Sequence, residues 1–152
     1  HVLHLIRQLV DVHPVARETN LQEALDYLNR VQKRRAVVFL ISDFLGPSAR
    51  HSLAIANKRH DLTAITVSDP REMALPDVGF ISLQDAETGE VIEVDTRHPR
   101  VRAVFEQQSA ARGGALSDEL RKVGVDQLAI KTDGDYLKSL RSFFDMREKR
   151  FR

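Results

Sequence analysis

The sequence predicts a three-layer α/β fold on a mainly parallel sheet, with a β-hairpin insertion. Two apolar, β-branched runs, AVVFLIS at 36–42 and LTAITVSD at 62–69, flank a helical segment and so make a strand–helix–strand unit, which should be right-handed. The first of these runs does not alternate polar with apolar residues, as expected of a strand covered on both faces. A third short run, DQLAIKT at 126–132, lies between two more helical stretches and continues the alternation that builds such a sheet.

Each element has a local reason. In HVLHLIRQLV, Val2, Leu5, Ile6 and Leu9 fall at helical spacing, and Pro14 breaks the pattern. A second helix carries Leu21, Leu25, Leu28 and Val31 on one face. Thr19 or Asn20 can cap it, with Gln22 or Glu23 three places on. After the first strand and Pro47, helix signals resume with Leu53, Ala54 and Ala56. PREMALPDVG is irregular, and FISLQDAETGEVIEVDT reads as an antiparallel hairpin about a turn at Glu87-Thr88-Gly89-Glu90.

A long helix is expected from about Pro99 to Val123, with Val101, Val104, Phe105, Leu116 and Leu120 on its apolar face. Gly113-Gly114 interrupts it, as a kink or a close packing point, and costs roughly 1 kcal/mol per glycine relative to alanine. Gly124 suits a C-cap. Thr132 or Asp133 caps a final helix whose buried side is Tyr136, Leu137, Leu140, Phe143 and Phe144.

Composition narrows the function classes. The 152 residues suffice for one domain with a core; 42% are apolar and 30% charged, which reads as a globular chain. A net charge of +1 offers no strong field for nucleic acid, and neither nucleic-acid nor membrane contact is expected of this chain. With no cysteine, disulfides, thiolate chemistry and cysteine-ligated zinc are excluded; a cytoplasmic setting is expected. No apolar run is long enough to span a bilayer, and no signal peptide is visible. The chain starts at His1 without Met, so an N-terminally truncated domain is expected, and an upstream membrane anchor is compatible with it.

The candidate chemistry lies at strand ends. In open α/β sheets the functional crevice is at the carboxyl ends of the strands, where Asp43, Asp69 and Thr132 fall. A carboxylate there can accept hydrogen bonds from unpaired backbone N–H groups or act as a hard ligand for Mg²⁺. Residue types leave Asp43 open between these uses; Asp69, before Pro70, reads as a turn residue, and Thr132-Asp133 as a cap. His1, His4 and His13 read as exposed polar residues, and the basic runs QKRR at 32–35 and REKRFR at 147–152 as solvated ends. No phosphate cradle, nucleophile elbow or other catalytic constellation is recognisable, so an enzyme is not expected.

RETNLQEALDYLNRVQKRRAVVFLISDFL, RHDLTAITVSDPREMALPDVGFISLQDAETGEVIEVDT and VGVDQLAIKTDGDYLKSLRSFF, in that order, resemble the DUF58 family over nearly the whole chain. The resemblance implies a von Willebrand factor A-like domain, a Rossmann-like sheet that carries a metal ion-dependent adhesion site. That site draws an Asp-x-Ser-x-Ser motif from a first loop, a Thr from a second and an Asp from a third. Thr19 matches the second element and Asp43 the third; no Asp-x-Ser-x-Ser occurs in the chain. The resemblance therefore implies the C-terminal portion of such a domain, 1–152, with an incomplete site: Mg²⁺ in the full-length protein, none firmly held here. It also implies a protein-docking or assembly-factor module working with a MoxR-type AAA+ ATPase. The strand at 36–42 would lose its neighbour, and the free edge would favour a homo-oligomer. The alternative is a metal-dependent phosphoryl-transfer or hydrolytic enzyme using Asp43, with Asp69 sharing the metal.

Overall fold

The computed structural model describes residues 1–12, 19–84 and 89–150. Three strands form one sheet: β1 (Val37–Ser42), β2 (Asp61–Ser68) and β5 (Asp126–Lys131), in the order β1-β2-β5. Both pairings are parallel, with Val37 opposite Asp61 and Thr63 opposite Asp126. The three apolar runs thus lie side by side and point the same way, as their alternation with helices demands. β3 (Phe80–Gln84) and β4 (Val91–Asp95) pair antiparallel in a separate two-stranded sheet, the expected hairpin. Residues 85–88 of its turn lie outside the described residues.

The helices are α1 (Val2–Asp11), α2 (Leu21–Val31), α3 (Arg50–Arg59), α4 (Pro70–Met73), α5 (Pro99–Lys122) and α6 (Tyr136–Arg150). On one face of the sheet, Leu21 and Leu25 of α2, Leu53 and Ala56 of α3 and Leu120 of α5 pack with Leu62 and Ala64 of β2. On the other face, Phe143 of α6 packs with Ile65 and Leu128, and Leu140 joins them. This is the expected three-layer arrangement. Period-2 geometry explains the split: even-numbered residues of β2 face α2, α3 and α5, and odd-numbered ones face α6.

Two expectations about burial are corrected. β1 is not covered on both faces. Val38 and Leu40 pack into the core, but Val37, Phe39 and Ile41 remain exposed. Phe39 meets the Phe144 ring in a T-shaped contact on that side, at a centroid distance of 6.0 Å, and stays exposed because the core of α6 sits over β2 and β5. In α6, Phe143 is buried while Tyr136, Leu137 and Phe144 are exposed, for the same reason. Every residue of α1 is exposed, its six apolar side chains included.

Helix ends follow local chemistry. Asn20 caps α2, its Oδ1 accepting from Glu23 N at 3.0 Å. Gly124 takes the left-handed conformation (φ 72°) after α5, where a Cβ would be strained. The last helix is not capped by Thr132 or Asp133; Asp135 Oδ1 accepts from Lys138 N at 3.0 Å instead. Gly113 and Gly114 neither break α5 nor mark a close approach, since a Cβ at either would meet nothing within 4 Å. In the hairpin, buried Thr96 accepts from Val78 N at 3.1 Å and donates to the Gly79 carbonyl at 2.7 Å, which closes the loop onto the strand ends.

At the amino ends of the strands one side chain ties three elements together. Arg147 of α6 donates to Thr63 Oγ1 at 2.7 Å, pairs with Asp61, and lies 3.4 Å from Asp126 Oδ2. β1 is held at the same end by Asp61 N donating to the Ala36 carbonyl at 2.8 Å.

Arg147→Ala should cost about 2–3 kcal/mol, read by urea denaturation, because it strands two partly covered acids. Arg147→Lys should cost less, as it keeps the charge but not the fork. Gly114→Ala should stabilise the fold by about 0.5–1 kcal/mol in the same assay, since the site is helical and the added methyl meets open space.

Candidate functional site

The parallel sheet gathers the exits of β1, β2 and β5 on one rim. Asp43 follows β1 and is exposed. It does not cap α3, whose N-cap is Ala49 with no side-chain bond. Its Oδ1 instead accepts from Leu45 N at 3.2 Å and from Ser42 Oγ at 3.3 Å, an Asx turn that folds the loop back on itself. Phe44, between them, has φ 57°. A bulky side chain in the left-handed region costs roughly 1–2 kcal/mol. The Phe44 ring packs against the main core and its N–H donates to Ser42 Oγ at 3.0 Å, which hold the strained turn in place.

Thr19 reaches this loop from the other side. A Cβ at Gly46 would stand 3.2 Å from the Thr19 carbonyl oxygen and 3.8 Å from its Cβ. The start of α2 and the β1–α3 loop are therefore in close contact, and a side chain at Gly46 would push Thr19 back by a few tenths of an ångström. Thr19 and Asp43, 24 positions apart in sequence, belong to one surface.

Asp69, after β2, has both carboxylate oxygens engaged. Oδ1 accepts from Arg71 N at 2.8 Å and Oδ2 from Thr132 Oγ1 at 2.8 Å. Glu72 Oε2 accepts from Asp69 N at 3.2 Å, completing a capping box for α4. Thr132, expected to cap the last helix, instead joins the ends of β2 and β5; its N–H also donates to the Ser68 carbonyl at 3.0 Å. These donors hold the Asp69 carboxyl below the usual carboxylate range, the Arg71 N–H first and the Thr132 hydroxyl second.

Behind the rim lies a cleft of about 720 Å³ between the β1–α3 loop, the end of β5 and α5. Phe44, Leu45, Met73, Phe105 and Leu116 line it together with Ala129. Three polar groups on its wall satisfy one another: Ser117 Oγ donates to Gln127 Oε1 at 2.8 Å, and Gln127 Nε2 to Thr66 Oγ1 at 3.4 Å. Sequence reading missed this cleft, since its lining comes from five separate segments. The helical spacing of Phe105 and Leu116 was the one available signal.

The donor set does not make a complete Mg²⁺ site. Mg²⁺ demands near-octahedral oxygen coordination. Asp43 offers one carboxylate, already bonded within its turn, and Thr19 is the only expected companion. Among the described residues no group of three or more His, Asp or Glu side chains converges. His1, which precedes α1, and His4 within it are exposed, and His13 lies outside the described residues.

The chain belongs to the DUF58 family, described as a protein family of unknown function, whose model matches residues 1–115. An uncharacterised protein of Mycobacterium avium is 36% identical over 137 residues, which is 90% of this chain and 80% of that protein. Uncharacterised proteins of Mycobacterium bovis and Mycobacterium tuberculosis are each 39% identical over 138 residues. This chain spans 43% of the length of either of those two. No solved structure matches. Among the described residues no helix is long and apolar enough to cross a membrane.

The rim carries a pH signature. Asp69 is held low as above, and in the hairpin the bidentate Arg97 guanidinium, at 2.9 and 2.8 Å, pulls Asp95 down to about 2. A carboxyl depressed by folding adds stability above its unfolded value, near 4, and loses it as pH falls through the folded value. Stability should thus decline as pH drops from about 4 toward 2. Thr132→Val should raise the Asp69 pKa toward the ordinary carboxylate range, read as its side-chain carboxyl shift in an NMR titration.

Proposed function

We propose that the chain is the C-terminal portion of a von Willebrand A-like domain and serves as a protein-docking module. The docking surface is the rim formed by Thr19, the loop at 43–48 and the segment at 69–78. The observation that carries this reading is the built contact between Thr19 and the Asp43 loop through Gly46, at the carboxyl end of a parallel sheet. The strained Phe44 turn beside Asp43 adds support, because backbone strain is kept where the surroundings hold a particular geometry. The rim has what a docking site uses: an exposed acid in a fixed turn for polar recognition, with half-buried Thr19 packed beside that loop, and an apolar cleft that can take a side chain.

The adhesion-type metal site is incomplete in this reading, and recognition by this chain runs through its own hydrogen-bonding groups. The partner the family resemblance suggests is a MoxR-type AAA+ ATPase. A phosphoryl-transfer enzyme draws less support, since Asp69 has both oxygens committed to a cap and to Thr132 and so is poorly free to share a metal with Asp43.

The free edge of β1 supports two further parts of the proposal. Its exposed Val37, Phe39 and Ile41 and unpaired outer backbone suit another strand, supplied in the parent protein by a neighbouring segment of the same domain. In the isolated chain a second copy takes that place.

Binding of a MoxR-type ATPase, followed by surface plasmon resonance, should weaken by about tenfold in Asp43→Ala, the loss typical of one charge-assisted contact. Equal affinity in the variant would remove Asp43 from the docking surface. Calorimetry should give no heat with Mg²⁺; turnover of a phosphoester that Asp43→Ala abolishes would favour the enzyme. Sedimentation velocity should show concentration-dependent self-association, suppressed in Phe39→Lys; a monomer at every concentration would refute the edge pairing.

A further inference from the structure

The fold brings together two basic runs that are far apart in sequence. Helices antiparallel to the strands place their carboxyl ends at the strand entries, the pole opposite the candidate rim. Lys33, Arg34 and Arg35 lie in the turn from α2 into β1, Lys58 closes α3, Lys122 closes α5, and Lys149 lies in the last turn of α6. The contact of Arg147 with Asp61 and Asp126 puts the end of α6 at that pole. All six side chains are exposed, and none is in an ion pair among the described residues.

Part of this charge has a local purpose. Cations in the last turn of a helix complement its macrodipole, which accounts for Lys58 and Lys122 along with Arg30, Arg59 and Arg121. The run at 33–35 lies beyond the end of α2 and serves no helix. Nor is it neutralised: Asp61 and Asp126 face Arg147, and Asp118 faces Arg121. Asp145 and Glu148 on α6 offset only part of the surplus.

We propose that this pole is a docking surface for an anionic lipid bilayer. The geometry favours a lipid surface over nucleic acid or an acidic peptide. The pole presents helix carboxyl ends, so carbonyls rather than N–H groups face outward and no phosphate cradle is available. The apolar cleft described above is at the far rim, and an extended peptide would find its side-chain pocket there rather than among these cations. Base stacking uses a series of free aromatic faces, and Tyr27, the aromatic of α2, has one face under Arg30 at 5.7 Å. What remains is an end carrying exposed, long cationic side chains, which is what a charged bilayer recognises. Docked this way, the sheet stands off the membrane and holds the rim with Thr19 and Asp43 about 20 Å out, facing solution. This surface and its test are independent of the docking role of the rim.

The test is co-sedimentation of the full chain with vesicles of phosphatidylcholine alone or mixed equally with phosphatidylglycerol. Binding is expected only to the mixed vesicles, and it should fall with added salt. Each cation near such a surface contributes about fivefold, so the variant Lys33→Ala/Arg34→Ala/Arg35→Ala should bind roughly a hundredfold more weakly. Arg100→Ala/Lys138→Ala, which removes two cations from the opposite end, should bind like the unaltered protein. Circular dichroism of each variant separates lost binding from lost folding. No binding to mixed vesicles at low salt would overturn the proposal, as would equal weakening by both variants. Tighter binding to an oligonucleotide of matched charge would overturn it in favour of nucleic acid.

Discussion

The alignment of β2 with β5, and with it the meeting of Asp69 and Thr132 on the candidate rim, is tied by a guanidinium at the other end of the sheet. Arg147 joins the entry of β2 at Asp61 and Thr63 to the entry of β5 at Asp126. Parallel strands have no tight turn to fix their register, so alignment must come from packing or from cross-strand ties. Arg147 is such a tie, and because it rides on α6 it also fixes how that helix lies across the strands. With the entries aligned, strands of six to eight residues finish close together. The bond from Thr132 to Asp69 closes the sheet at that end. A lysine could supply the charge but not the rigid fork that reaches Asp61 and Thr63 from one side and Asp126 from another.

The fold was largely legible because it rests on period and punctuation. Apolar runs flanked by helices gave the parallel strands, Asn20 gave the start of α2, and Gly124 the end of α5. Coverage was not legible. AVVFLIS reads the same whether both faces are buried or one is open, because apolar side chains do not encode whether a helix reaches that far across the sheet. Arg147 was hidden for a related reason. Within REKRFR it resembles its solvated neighbours, and only the fold distinguishes the one that turns inward.

The candidate site was legible in part. Asp43 was found by its position after a strand, and its turn-forming role was among the uses the residue type allows. Thr19 came only through the family resemblance, and its proximity to the Asp43 loop depends on Gly46, which no periodic signal marks. The pairing of Asp69 with Thr132 could not be read, since it joins residues 63 positions apart. Charge was the most misleading quantity. A net value of +1 averages over the molecule and conceals that parallel strands sort helix carboxyl ends, with their lysines and arginines, onto a single pole.

Gly46 is the hinge pin of the rim. Its missing side chain lets the Thr19 carbonyl sit where a methyl group would crowd it, so the residue leading into the Asn20 cap packs directly on the Asp43 loop. A displacement of Thr19 would press on this loop at Gly46, through backbone rather than through a side chain. On the docking reading proposed above, Thr19 and Asp43 would meet a partner from one packed surface rather than from two separate loops.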